Sequence, residues 1–346
     1  TGKPLKDENG KPVMIPGTLK GTKAIGWFID EYGIAQVSMN ITDIAATPLH
    51  RAFDEVSRAA AARGLRVTGT EIAGLLPKRA LIEAGRHYLH MQQRSTGIPD
   101  SEIIKIAVKS MGLDDLKPFD PAEKVIEYML ESKSGDGGVR LTAMSCRGFA
   151  EETASESPAP GGGSVAAYMG ALGAALGTMV ANLSAHKSGW DERWKEFSDA
   201  ADAGQALMQR LLSLVDEDTA AFNRIKAAMG LPKGTDSEKE QRAAAIEAAT
   251  LYASQVPLKT ARAAAEAFPL LRAMASDGNP ASVTDAGVGA LAARAAVRGA
   301  ALNVRINAAG LVDRAAADEL IASARALEAE AAAAEEEILR VVDSKI

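Results

Sequence analysis

Residues 158–177 read Pro-Ala-Pro-Gly-Gly-Gly-Ser-Val-Ala-Ala-Tyr-Met-Gly-Ala-Leu-Gly-Ala-Ala-Leu-Gly, and no charged residue occurs from Gly161 to Leu183. Two prolines stop any helix on the N-terminal side. Three successive glycines are costly to order, and they are used where backbone must come close to something. A helix that follows directly has its free N–H groups at this corner, where the dipole favours a carboxylate or a phosphate. Two readings stay open: an anion or ligand site, or a plain turn before a tightly packed helix. The uncharged run is long enough to cross a bilayer. Its Ala and Gly content makes transfer to lipid poor, so a buried core helix is expected instead. Aromatic residues are only 4% of the chain, which also points to close helix contacts rather than a core of large rings.

The 346 residues allow about two domains or more. Residues 1–21 carry prolines and turn glycines without periodicity and read as an exposed arm. Two apolar runs, Lys23–Ile29 and Ala35–Ile41, flank the turn Asp30-Glu-Tyr-Gly33 and predict a β-hairpin. Leu65–Ile72 alternates and predicts a third strand. Helices are expected at Pro48–Arg63, Pro77–Gln92, 100–111 and 121–132, giving an α+β domain that ends near residue 130. The polar, glycine-rich stretch Ser132–Val139 reads as a linker. Beyond it no strand is convincing. Helices are expected at 143–156, 163–186, 190–216, 217–229, 236–267, 269–276, 284–308 and 314–342, broken at Pro158/Pro160, Gly230-Leu-Pro232 and Gly278-Asn-Pro280.

Several polar groups stand out against this apolar background. Asp216 and Asp218 point to opposite sides of a helix and cannot act as a pair. Asp218 shares a face with Phe222, so desolvation there would raise its pKa and suit it to moving protons. Spacing alone favours the plainer reading, a solvated acid or a cap. Asp285 opens the helix after Gly278-Asn-Pro280, where Ser282 or Thr284 can cap; capping and a site role are equally compatible. Asn303 and Asn307 stack four apart within an apolar run and imply a hydrogen-bonded core or a ligand edge. His87 and His90 lie three apart, without a third metal ligand at suitable spacing, and read as a solvated helical pair. His186 and Lys187 are notable for following the glycine helix. The chain shows no phosphate loop, dinucleotide fingerprint or Ser-His-Asp pattern. A net charge of −6 with no basic stripe argues against nucleic acid. The single cysteine, Cys146, makes no internal disulfide and fits a reducing cytoplasm. No signal-peptide pattern is visible, and a first residue Thr1 suggests a piece of something longer.

Together the segments resemble the formimidoyltransferase-cyclodeaminase family. Pro160-Gly-Gly-Gly-Ser-Val-Ala-Ala, Val215-Asp-Glu-Asp-Thr-Ala-Ala-Phe, Val256-Pro-Leu258, Gly278-Asn-Pro280 to Asp285, and Asn303-Val-Arg-Ile-Asn307 carry the likeness in the helical half. Ile25-Gly-Trp-Phe, Val37-Ser-Met-Asn, Thr47-Pro-Leu-His50 and Gly69-Thr-Glu-Ile-Ala-Gly-Leu-Leu-Pro77 carry it in the first half. The resemblance implies a small ferredoxin-like α/β-sandwich subdomain (residues 1–131), a linker (132–142) and an all-α multihelical cyclodeaminase domain (143–346).

The family's N-terminal transferase subdomain, with its catalytic histidine, has no counterpart among residues 1–346, so transferase activity is not expected from them. A second departure is the run Ser184-Ala-His-Lys-Ser-Gly-Trp, which has one lysine where relatives carry several basic residues. The activity implied is conversion of 5-formimidoyltetrahydrofolate to 5,10-methenyltetrahydrofolate and ammonia, a lyase step in histidine degradation and one-carbon metabolism. Its substrate is a polyglutamylated tetrahydrofolate, and no metal is required. Asp218 falls on the family's catalytic aspartate. Gly161, Gly162, Gly163, Ser164, Asn182, Lys187, Asp285, Asn303 and Asn307 are expected to line the pocket. A cytoplasmic homodimer or higher homo-oligomer is expected, with neither nucleic acid nor membrane as a partner. The alternatives are a methenyltetrahydrofolate cyclohydrolase, which stand-alone relatives of the helical domain imply, and a non-catalytic folate-binding or oligomer scaffold.

Overall fold

The structure is a computed structural model that describes residues 5–13, 17–133 and 140–346. The chain divides into two compact units. One comprises Thr1–Leu89 and Asp100–Ser134, the other His90–Pro99 and Gly135–Ile346. Most of the expected linker lies outside the described residues.

In the first unit, β1 (Thr22–Ile29) and β2 (Ile34–Ile41) pair antiparallel, with Thr22 opposite Ile41 and Ile29 opposite Ile34. Gly33 closes the connecting turn at φ +63°, a conformation that glycine adopts without strain. The helices that follow are α1 (Leu49–Ala61), α2 (Lys78–Met91), α3 (Asp100–Ser110), α4 (Pro121–Lys124) and α5 (Ile126–Lys133). Leu81, Ile104, Met111 and Val125 form the core of this unit. The α2–α3 approach depends on Gly85: a β-carbon there would lie 2.1 Å from the carbonyl oxygen of Ile103.

Two expectations need correction here. Leu65–Ile72 forms no strand. The backbone N–H of Thr70 donates to the Gly112 carbonyl in a loop, so this stretch has no neighbouring strand to ladder with. The helix expected over 121–132 is split, because Val125 is extended and forms a parallel bridge with Leu76. The fold class stands as α+β, with a small sheet and a separate multihelical unit.

The helical unit contains α6 (Cys146–Thr153), α7 (Gly162–Ala185), α8 (Trp194–Met229), α9 (Asp236–Ala265), α10 (Ala267–Asp277), α11 (Val283–Ala308) and α12 (Arg314–Asp343). Helix α7 is its axis and packs along α8 and α11. Gly173 lets α7 and α11 touch backbone to backbone: a β-carbon there would lie 2.9 Å from the Gly289 carbonyl oxygen. By length and composition α7 is apolar enough to cross a membrane, yet most of its apolar stretch is buried within the bundle.

The helices expected at 190–216 and 217–229 are one, α8. No breaker separates them, and each acid of Asp216-Glu-Asp218 finds its own partner. Asp216 accepts from the Leu141 N–H and the Thr142 hydroxyl, both at 2.9 Å. Glu217 accepts from Tyr252 and Lys259. Asp218 turns to α7. Helix ends follow local chemistry: Thr235 and Glu238 form a capping box on α9, and Asp313 caps α12.

Candidate active site

The glycine corner and Asp218 meet. Gly161 opens α7 as its N-cap and has no side chain with which to satisfy the helix's free N–H groups. The Asp218 carboxylate, reaching across from α8, takes that place. It accepts from the backbone N–H of Ser164 and from the Ser164 hydroxyl, the latter at 3.0 Å. That hydroxyl is shared with the Val215 carbonyl, also at 3.0 Å. Gly163 makes the approach possible: a β-carbon there would lie 2.2 Å from Asp218 Oδ1 and 2.6 Å from its Cγ. The anion at this helix N-terminus is therefore the protein's own.

Burial pushes the Asp218 pKa up, and the hydrogen bonds from Ser164 pull it back only in part. Hydrogen bonds alone would give a depressed value. Desolvation against glycine backbone wins, and the outcome is a carboxyl group readier to carry a proton than an exposed aspartate.

Asn303 on α11 flanks the corner, its Nδ2 3.3 Å from where a β-carbon on Gly162 would stand, and donates to the Gly299 carbonyl of its own helix. Asn307 has a different employment. Pro257 sits inside α9, where its missing N–H leaves the Ala253 carbonyl without its helical partner. Asn307 Nδ2 donates to that carbonyl at 2.7 Å. The amide thus fills a gap made by a proline.

Asn182, Lys187 and Asp285 lie elsewhere. Asn182 follows Ser164 by eighteen residues on α7, about 27 Å along the axis. Asp285 precedes Asn303 by the same distance on the antiparallel α11. Within one copy of the chain the expected pocket therefore splits into two groups at opposite ends of the α7–α11 pair. At the far end Lys187 Nζ sits over the Trp190 ring, 4.7 Å from its centroid. Asn182 Nδ2 donates to the Gly97 carbonyl at 2.8 Å.

Of the histidine pair expected to be solvated, His90 is exposed and His87 is half-buried. His87 is bonded to Asp54 at 3.0 Å and stacked on His50, while His90 packs edge-on against Trp194. No group of three or more His, Cys, Asp or Glu able to hold a metal ion occurs among the described residues.

Two features escaped the sequence reading. One is the proline–asparagine complement just described, for which Pro257 inside an expected helix was the available signal. The other is the docking of Ser95–Gly97 on the ends of α7 and α8, which no local pattern announces.

Residues 145–326 match the formiminotransferase-cyclodeaminase family and residues 5–131 match the formiminotransferase domain. The chain belongs to the formiminotransferase-cyclodeaminase family. It is 37% identical to formimidoyltransferase-cyclodeaminase of Mus musculus over 306 residues, which are 88% of this chain and 56% of that protein. The Gallus gallus protein of the same name matches to the same extent. The chain thus spans about half the length of these curated relatives. A methenyltetrahydrofolate cyclohydrolase of Methylorubrum extorquens is 42% identical over 198 residues, 57% of this chain and 95% of that protein. The crystal structure of a formiminotetrahydrofolate cyclodeaminase from Thermotoga maritima is similar in fold, with a TM-score of 0.52 at 24% identity. It is matched over 58% of this chain and 96% of that chain.

Proposed function

We propose that the helical unit is a cyclodeaminase that closes 5-formimidoyltetrahydrofolate to 5,10-methenyltetrahydrofolate and releases ammonia. The observation that carries this reading is the half-buried Asp218 carboxyl group, held at the α7 N-terminus by Ser164 and raised in pKa by burial. In the reaction N10 of the folate attacks the amidinium carbon on N5, forming a carbon–nitrogen bond. N10 then loses a proton, the amino group gains one, and ammonia departs with its bonding pair. One group that accepts a proton and returns it across the adduct serves both transfers, an effect worth about 10²–10⁴-fold. Asp218 in its ionised form takes the N10 proton and delivers it to the leaving nitrogen. Holding N5 and N10 in one conformer makes ring closure intramolecular.

The split of the expected pocket favours a homo-oligomer. The outward faces of α7 and α11 carry an apolar stripe, Leu172, Met179 and Leu183 with Val288, Leu302 and Ile306, all exposed in the single chain. A second copy laid antiparallel on that stripe brings its Asn182, Lys187 and Asp285 toward the first copy's Asp218. A monomer in light scattering at working concentration would sink this arrangement.

The cyclohydrolase reading is kept because the Methylorubrum extorquens relative, nearly all of which is matched, is named for that activity. Separate assays with 5-formimidoyltetrahydrofolate (ammonia release) and with 5,10-methenyltetrahydrofolate (loss of its absorbance) distinguish the two. Asp218→Asn should lower ammonia release by about 10²–10⁴-fold with folate affinity near wild type; full activity in that variant refutes the assignment.

A further inference from the structure

Residues Ser95–Gly97 cross the end of the helical unit where α7 stops and α8 begins, and they are held there by side chains. The Ser95 N–H donates to His186 Nε2 at 3.1 Å. The Thr96 N–H donates to Ser198 Oγ at 3.0 Å, and its hydroxyl to Asp202 Oδ2 at 2.5 Å. The Gly97 carbonyl accepts from Asn182 Nδ2. Ser95 and Thr96 are 1% and 4% exposed. Gly97 lies so close to α8 that a β-carbon on it would be 2.3 Å from Ala201. This strap is tightly fitted, yet it leaves one group badly served: Asn182 Oδ1 is buried under it without a hydrogen-bond partner. A buried orphan acceptor costs about as much as a good hydrogen bond returns.

A ring nitrogen that accepts from a backbone N–H must be unprotonated. His186 therefore holds Ser95 only while neutral; the protonated ring presents an N–H where its lone pair was. We propose that the Ser95–Gly97 strap is a proton-released cover over Asn182, clasped by neutral His186 and let go when that ring takes up a proton. The inference rests on the reading of Asn182 as a folate-binding residue, since a docked strap occupies its amide and hides its oxygen.

Partial burial, and next the positive charge of Arg94 just before the strap, lower the His186 pKa from the ordinary 6.5. Lys187 follows it in sequence and is engaged with Trp190. Arg193, in the turn before α8, has Glu196 and Asp277 beside it. Asp202 is tied to Thr96. With the docked value below the free one, docking is strongest above pH 6.5 and weakens as pH falls below it, by up to about tenfold per pH unit.

The test is amide hydrogen exchange at Ser95 and Thr96 in the full 346-residue chain, from about pH 7.5 down to about pH 5.5, corrected for intrinsic rates. Protection should fall in wild type, by at most about tenfold. It should stay flat in His186→Gln, whose amide oxygen accepts without titrating. It should be absent at every pH in Gly97→Ala, while the α7 amides stay protected. Equilibrium binding of tetrahydrofolate should be tighter in Gly97→Ala than in His186→Gln at neutral pH. A protection loss of the same size in His186→Gln overturns the clasp, and equal folate affinity in the two variants overturns the cover. Neither readout requires turnover, so a chain that binds folate without releasing ammonia would defeat the cyclodeaminase reading and leave the strap standing.

Discussion

The two ends of α7 solve the same problem in opposite ways. Each presents polar groups in a bundle made of small residues. At the N-terminal end a carboxylate is pressed against glycine backbone, and the tight fit raises its pKa. At the C-terminal end an amide and an imidazole are met by a strap of backbone that hydrogen-bonds to both. One end is closed by a side chain packed on glycine backbone, the other by a strap of backbone that side chains hold in place. The close approach of Asp218 holds only while position 163 carries nothing larger than a hydrogen, and the strap's bonds hold only while it stays docked. The first end is therefore built for a fixed chemical task and the second for adjustment.

The sharpest way to break this contrast is Gly163→Ala. A methyl group 2.2 Å from Asp218 Oδ1 forces the carboxylate outward, where water restores an ordinary pKa. Ammonia release should fall by about 10²-fold or more, while protection of the strap amides some 27 Å away stays as in wild type. A variant with unimpaired turnover would show that desolvation at this end is incidental. Ser164→Ala removes one hydrogen bond that opposes the shift, so Asp218 should titrate higher still. The rising limb of the pH–rate profile should move to higher pH; an unmoved limb would mean that Asp218 does not govern the rate.

Asn307→Ala separates structure from site. It leaves the Ala253 carbonyl unpartnered beside Pro257 and should cost about 1–3 kcal/mol of stability in denaturant unfolding. A Pro257→Ala partner change should recover most of that cost; no recovery would show that the amide has another employer. The smallest effect expected is a gain. An aspartate whose pKa is raised on folding is stabilising below its ordinary 3.8 and progressively less so as pH climbs through the raised value. Asp218→Asn should therefore unfold at a slightly higher temperature than wild type at neutral pH and lose that advantage near pH 4. A lower melting temperature at neutral pH would argue that burial of the charge is fully compensated.

Much of the helical half was legible because its signals are local. Prolines, a glycine run and apolar periodicity set α7, α9 and α11 to within a few residues. The continuity of α8 was not legible, because three successive acids look like a break until each is seen to have its own partner on a different element. The first half was read less well. A strand depends on what lies beside it, and Leu65–Ile72 meets a loop carbonyl rather than a neighbouring strand. Of the expected site, Gly162, Gly163, Ser164, Asp218 and Asn303 come together, whereas Asn182, Lys187 and Asp285 lie a helix length away.

By itself the sequence determined that a small-residue helix must be buried, where it starts, and which acid follows an apolar face. Those properties depend on chain sterics and on the cost of hydrating apolar surface, both of which are local. The tertiary structure alone decided that Asp218, rather than a ligand, caps α7, that Asn307 serves a proline, and that Gly97 lies over Asn182. Each is a contact between residues more than fifty positions apart, fixed by helix packing at ångström scale, and no spacing along the chain encodes that distance.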